Sequence, residues 1–205
     1  MNPITLEFLR LTVDKSFNLS APIFTSLRQT VKAGGVKEQY YGMTDDDSNQ
    51  LLWVIEWPQK AHLPDFLEEH SRFRQQLNTL HVNSKPISWL VPFRFAEEVR
   101  PALTAPVCEF AHIALRENAK PETLSQSLHK TFTDCYFAPG FTGGNWGVAT
   151  NSNDRMCLYI LGWESRAHHT EFAKSALFAV EIDKLRPFFG PGSIGLFAKL
   201  TQELS

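Results

Sequence analysis

Cysteine is scarce in this chain of 205 residues, and Cys108, Cys135 and Cys157 show neither CxxC spacing nor a nearby His/Cys cluster. A disulfide framework and a zinc site are therefore not expected; three reduced, buried thiols in a cytoplasmic protein are. No apolar run approaches the roughly 18 residues that a membrane span requires, so no membrane is expected as a partner. The amino terminus, MNPITLEFLRLTVDKS, lacks the basic segment, long apolar stretch and small-residue cleavage site of a secretory signal. Lys/Arg-rich runs are also missing, and with a net charge of −2 the chain is poorly suited to phosphate backbones. Nucleic acid is accordingly not expected. There is no P-loop and no GxSxG elbow, and the adjacent His168 and His169 lack the i, i+4 spacing of a helical metal pair. Neither a metal nor a cofactor is expected.

What the chain does have is a repeated word. WPQKAHLPDF begins at Trp57 and WESRAHHTEF at Trp163, both reading Trp-x-x-(Lys/Arg)-Ala-His-x-x-(Asp/Glu)-Phe. The likeness extends outward: LEFLRLTV (6–13) matches CEFAHIAL (108–115), AGGV (33–36) stands opposite APGF (138–141), and LLWVIEW (51–57) pairs with CLYILGW (157–163). PISWLVPF (86–93) and GSIGLFAK (192–199) close each copy. Self-similarity at this spacing marks two diverged copies of one unit. The copies are assigned to residues 1–98 and 104–205, divided in FAEEVRPALTAPV, where two prolines and charged residues interrupt the pattern.

Each copy reads strand, helix, strand, strand, helix, strand. TLEFLRLTV alternates with the period of a strand, and LLWVIEW has strand composition. Ser20 is a candidate cap for a helix with Pro22 in its first turn and Ile23, Leu27 and Val31 on one face, ended by Gly34 and Gly35. Leu124, Leu128 and Phe132 repeat that spacing. A second helix follows each Trp, entered through Pro58 in one copy and capped by Ser165 in the other. On it, His62, Phe66, His70 and Phe73 would form one stripe, and His168, Phe172 and Ala176 another. The order βαββαβ is ferredoxin-like. The fold class is thus α+β: two tandem ferredoxin-like repeats, whose bare sheet faces can bury each other in a pseudo-dimeric α/β barrel.

With its Trp-x-Ser-x-Ala-His lead into the second helix (WESRAH at 163) and its Pro-Gly-Phe or Gly-Gly-Val turn before strand two, the chain resembles the dimeric α/β-barrel superfamily. That group includes antibiotic-biosynthesis-monooxygenase-like and stress-responsive barrel proteins. The resemblance covers nearly the whole chain, twice. It implies a small apolar pocket in each copy, with one or two polar residues as acid and base.

Glu7 and Glu109 occupy the same place on the first strand of each copy, a carboxylate among aliphatics that must be paired or functional. The opposite face carries Arg10 in one copy and His112 in the other. Glu109 and His112 are the candidate bases, and His168 the candidate proton donor. Trp146, Tyr159, Asn145 and Tyr136 in the second copy, and Glu7, Tyr41, Trp53 and His62 in the first, are candidate substrate contacts. His62 and His168 recur in both copies, which favours a role in holding the fold, since a catalytic residue need survive in only one copy. His70, beside Glu68 and Glu69, is expected to be a solvated helix residue. The resemblance implies a cofactor-independent enzyme of secondary metabolism, acting on a small apolar or aromatic ketone such as a polyketide intermediate. Enolisation, followed by C–C bond formation, cleavage or cyclisation as in a cyclase or lyase, is the first expectation. A cofactor-free monooxygenase of an anthrone-like ring and a non-catalytic binding barrel are the alternatives. Beyond the pseudo-dimer within one chain, a homodimer is a further expectation.

Overall fold

The computed structural model describes residues 3–46, 48–58, 64–82 and 85–205. The chain divides into two compact units, residues 1–96 with 201–205 and residues 97–200.

In the first unit, β1 (Ile4–Thr12), α1 (Pro22–Ala33), β2 (Glu38–Met43), β3 (Gln50–Pro58), α2 (Pro64–Leu67), α3 (Arg72–Asn78) and β4 (Ile87–Phe93) follow in order. In the second, α4 (Arg100–Leu103) precedes β5 (Val107–Ala114), α5 (Pro121–Thr133), β6 (Phe141–Val148), β7 (Met156–Trp163), α6 (Arg166–Ala173), α7 (Ala176–Leu185) and β8 (Ile194–Ala198). The last strand, β9 (Thr201–Leu204), joins the first sheet. Strand orders are β4-β1-β3-β2-β9 and β6-β7-β5-β8. Each contains the ferredoxin-like arrangement that the sequence predicts, and the α+β tandem duplication stands.

The inner strands carry the cores. β3 is buried from Leu51 to Trp57, and β7 along its whole length. Leu27 and Val31 of α1 and Leu124, Leu128 and Phe132 of α5 lie under their sheets as the spacing predicts. Full burial of such a side chain is worth about 1.5–3 kcal/mol.

Local expectations fail where capping competes with periodicity. Ser20 does not cap α1: its hydroxyl bonds Asn18 at 2.7 Å, and Ala21 takes the cap position ahead of Pro22. Phe24 is buried in place of Ile23, which is 40% exposed. Pro58 ends β3 rather than opening a helix, and the expected second helix is broken in two. Ser71 starts a new helix by accepting from the Arg74 amide at 3.1 Å, which leaves His70 in an exposed turn between α2 and α3. The continuous His62–Phe73 stripe therefore does not form; Phe66 and Phe73 are buried, and His62 lies outside the described residues. Ser175 divides α6 from α7 in the same way, its side chain accepting from the Phe178 amide. Ser165 does cap α6.

β9 is the other departure, because the repeat pattern assigns residues 201–205 to the end of the second copy. They extend β2 instead, with Glu203 accepting from Arg28 Nε at 2.8 Å and from the Tyr41 hydroxyl at 3.2 Å. Arg28 is 7% exposed, so Glu203→Ala would leave a buried guanidinium without its carboxylate, with only Leu19 O and Thr25 Oγ1 still accepting from it among the described residues. It is expected to lower the urea-unfolding free energy by about 1–3 kcal/mol; a change under half of that would make the contact incidental.

Among the described residues no helix is long and apolar enough to cross a membrane. The run GPGSIG (190–195) has GxGxxG spacing, but it leads into strand β8 and opens no helix, so the phosphate-binding context of that motif is missing.

Candidate functional site

The site is built on β5 and β7 of the second unit. Glu109 on β5 pairs with Leu161 in register, and Trp163 ends β7. The Trp163 indole Nε1 donates to Glu109 Oε2 at 2.8 Å. Glu109 Oε1 lies 3.4 Å from His169 Nε2 on α6. The ring of His169 is held edge-on between Trp163 and Phe197, with centroid separations of 5.4 and 4.7 Å. Arg166 lies over Phe197, 3.3 Å from its ring centroid. The other imidazole nitrogen, His169 Nδ1, is buried and has no hydrogen-bond partner among the described residues.

Glu109 and His169 line a cavity of about 290 Å³. Its walls are largely apolar, with Tyr159, Leu161, Phe172, Phe178 and Phe189 among them. The volume falls at the lower end of the usual range for small-molecule pockets, about 300–1,000 Å³. The hydroxyls in its wall are already engaged. Thr131 donates to Ser127 O at 2.9 Å, Ser193 to Ala114 O at 3.3 Å, and Tyr159 to Leu128 O at 2.7 Å. Burial pushes the Tyr159 phenol well above its ordinary pKa. Burial, then the charge of Glu109, does the same to the Cys135 thiol in the wall. Burial also raises Cys108 and holds Cys157 at about 12. None of these thiols is a nucleophile at neutral pH, since the thiolate is the reactive form.

The first unit treats the equivalent carboxylate differently. Glu7 is completely buried. It accepts from Trp57 Nε1 at 2.9 Å, from Ser88 Oγ at 2.6 Å and from the Arg74 guanidinium. Arg74 stands three residues after the capping Ser71, and Phe178 stands three after Ser175. An arginine that neutralises the carboxylate in one copy is thus replaced by a phenylalanine in the cavity wall of the other. His169 shows the converse asymmetry: the first word has Leu63 at that place.

The remaining sequence candidates are dispersed. His112 contributes to the cavity wall and is 3% exposed. Val107, Ala111 and Ile113 belong to the helix-side core, so strand alternation places Glu109 on their face and His112 on the other. His168 does not line the cavity; its Nδ1 lies 3.1 Å from Ser165 Oγ at the start of α6. Its ring also fills the space over Gly140 (φ +75°), where a Cβ would come within 2.3 Å of it. Trp146 stacks on Tyr159 at 5.4 Å and donates to His129 Nδ1 at 3.1 Å. Asn145 accepts from the Trp146 amide and, with Tyr136, borders a separate surface groove. In the first unit Trp53 is buried, donating to Gln39 and meeting Phe24 and Phe73 edge-on, and Tyr41 lies under Arg28. Aromatic rings thus fill the space around Trp53 in the first unit.

His169 is the site residue that the repeat pattern passes over. Its signal was available: it is the histidine of the repeated word that only one copy carries. Among the described residues no group of three or more His, Cys, Asp or Glu side chains is arranged to hold a metal ion.

No protein-family model matches the chain, and no curated protein matches it by sequence. Solved structures do match in fold. One from Lactobacillus acidophilus NCFM, described as a candidate monooxygenase, is 12% identical with a TM-score of 0.60, over 100% of this chain and 97% of its own. Another candidate monooxygenase, from Fusobacterium nucleatum subsp. nucleatum, is 8% identical at 0.62, covering 100% and 95%. An anthrone oxidase-like protein is 11% identical at 0.63, covering 100% and 94%. At these identities the likeness is one of fold. The chain has the ferredoxin-like fold twice over, and in that fold it matches these solved structures along its whole length.

Proposed function

We propose that the second unit carries a cofactor-independent acid–base site that removes a proton from carbon beside the carbonyl of a small apolar ketone. The observation that carries this reading is the Glu109–His169 contact at the wall of an apolar cavity, with His169 Nδ1 buried and without a partner among the described residues. With the Nε2 hydrogen directed at the carboxylate, Nδ1 presents its lone pair, and Glu109 offsets the charge that the imidazole gains on taking a proton. Trp163 holds the carboxylate in place. The C–H electron pair becomes the enolate, and protonated His169 is its donor, because the hydroxyls of Thr131, Ser193 and Tyr159 already give their hydrogens to backbone carbonyls. In this reading Glu109 is a positioning residue, His169 the base, and His168 a support for the start of α6.

The enolate has two chemical fates. It can attack or expel a carbon centre, as in a cyclase or lyase. It can also add dioxygen, and the peroxide so formed loses water to leave a new carbonyl. Likeness to an anthrone oxidase-like protein over the whole chain favours the second fate. A panel of aryl ketones including anthrone tests both, by deuterium incorporation from D₂O and by dissolved-oxygen uptake. Exchange well above the buffer rate is expected with at least one of them, and stoichiometric oxygen uptake would select the oxidative fate. No exchange above buffer across the panel would count against the base.

A further inference from the structure

The cavity of the second unit is open because two positions on its sheet carry almost no side chain. Ala111 of β5 stands directly opposite Gly195 of β8, so both belong to the face that carries Glu109. β5 is an inner strand, yet Ala111 is only half-buried and Gly195 is exposed, and both line the cavity. The equivalent pair in the first unit is Leu9 opposite Ser88. There Leu9 is completely buried and the Ser88 hydroxyl reaches Glu7.

Backbone geometry does not demand the glycine. Gly195 has no positive φ, and a Cβ built on it would meet only the Phe197 ring, at an ordinary 3.8 Å. What glycine supplies at this point is room above the sheet.

We propose that Ala111 and Gly195 are specificity-determining residues: they form the floor of the cavity, and side-chain volume at these two positions sets the size of molecule admitted beside His169. The inference rests on the cavity being the substrate site, and it concerns size selection rather than the chemical step.

The test uses the full chain and two probe ketones, acetophenone with one ring and 2-acetonaphthone with two fused rings, followed by quenching of tryptophan fluorescence. The unaltered protein is expected to bind both saturably. Ala111→Leu restores the side chain of the first unit. It is expected to weaken 2-acetonaphthone relative to acetophenone by at least about tenfold, since a single methylene in an apolar pocket is worth about 10- to 200-fold. Gly195→Ala is expected to shift the ratio in the same direction by less, and its 3.8 Å clearance keeps the question answerable if Ala111→Leu does not fold. An unchanged ratio in the folded variants, or no saturable binding of either ketone to the unaltered protein, overturns the proposal. The readout is binding, so the two readings fail separately. Size selection without deuterium exchange would remove the base chemistry alone, and exchange with an unchanged ratio would remove the floor alone.

Discussion

His169→Ala is expected to lower the rate of deuterium exchange into the responsive ketone by about 10²–10⁴-fold, the usual contribution of a positioned general base. The ring is not a keystone of the core: its side chain is 19% exposed and, among the described residues, only its Nε2 has a polar contact, to Glu109. Urea unfolding should therefore change little. Glu109→Gln should fall within the same range of rate loss, because the amide keeps an acceptor for the Trp163 indole but no longer balances an imidazolium. Ketone binding should survive in both variants, which places the loss in the chemical step. His168→Ala, one residue earlier, is the internal control. It removes a ring packed on Gly140 and Ser165, so its effect belongs in stability. A rate that follows His168 instead of His169 would transfer the base to the residue shared by both copies.

Arg74→Met is expected to destabilise the protein by about 3–5 kcal/mol, the range seen when one member of a buried ion pair is removed. Glu7 is completely buried, and Arg74 supplies the only cation within ion-pair distance of it among the described residues. Without the guanidinium, Trp57 and Ser88 still donate hydrogen bonds, but the charge remains uncompensated in an apolar setting. Glu7→Gln in the same chain should recover most of the loss, since the amide carries no charge to neutralise. Denaturant unfolding of the single and double variants forms a cycle that separates the charge effect from lost packing. A single-variant cost below 1 kcal/mol would show that the Arg74–Glu7 ion pair is not what holds this core together.

These two results would define how the copies have diverged. One carboxylate–tryptophan pair is sealed by an arginine and a serine in a core filled by Phe24, Trp53, Phe66 and Phe73. The other faces a cavity, with Phe178 at the arginine's position and His169, which the first copy lacks, beside the carboxylate. Duplication allows this division: one copy keeps the interaction that holds the sheet to its helices, and the other can leave the same carboxylate accessible.

Much of this was legible in the residues. The repeated word, the repeated carboxylate on the first strand and the strand-helix punctuation are local signals, and local periodicity determines which elements form. The tandem ferredoxin-like order followed from them. Helix continuity did not, because an N-capping serine inside an apolar stripe can restart a helix, as Ser71 and Ser175 do. Strand register was not legible either. Residue-by-residue alignment of PISWLVPF with GSIGLFAK sets Ser88 against Ile194. The hydrogen-bonded ladders instead place Leu90 opposite Glu7 and Phe197 opposite Glu109, which makes Gly195 the equivalent in the second copy of Ser88 in the first. A shift of one residue exchanges the two faces of a strand, so the floor of the cavity could not be read from the sequence.

By itself, then, the sequence determined that this chain is one α+β unit written twice, with a Glu and a Trp preserved at matching places. Only the tertiary structure decided that Trp163 meets Glu109 across 54 residues of chain, that Arg74 meets Glu7 across 67, and that His169 rather than the shared His168 stands beside the carboxylate. The physical reason is range. Periodicity and capping act within a few residues, whereas the partner of a buried charge is chosen by packing between segments far apart in the chain.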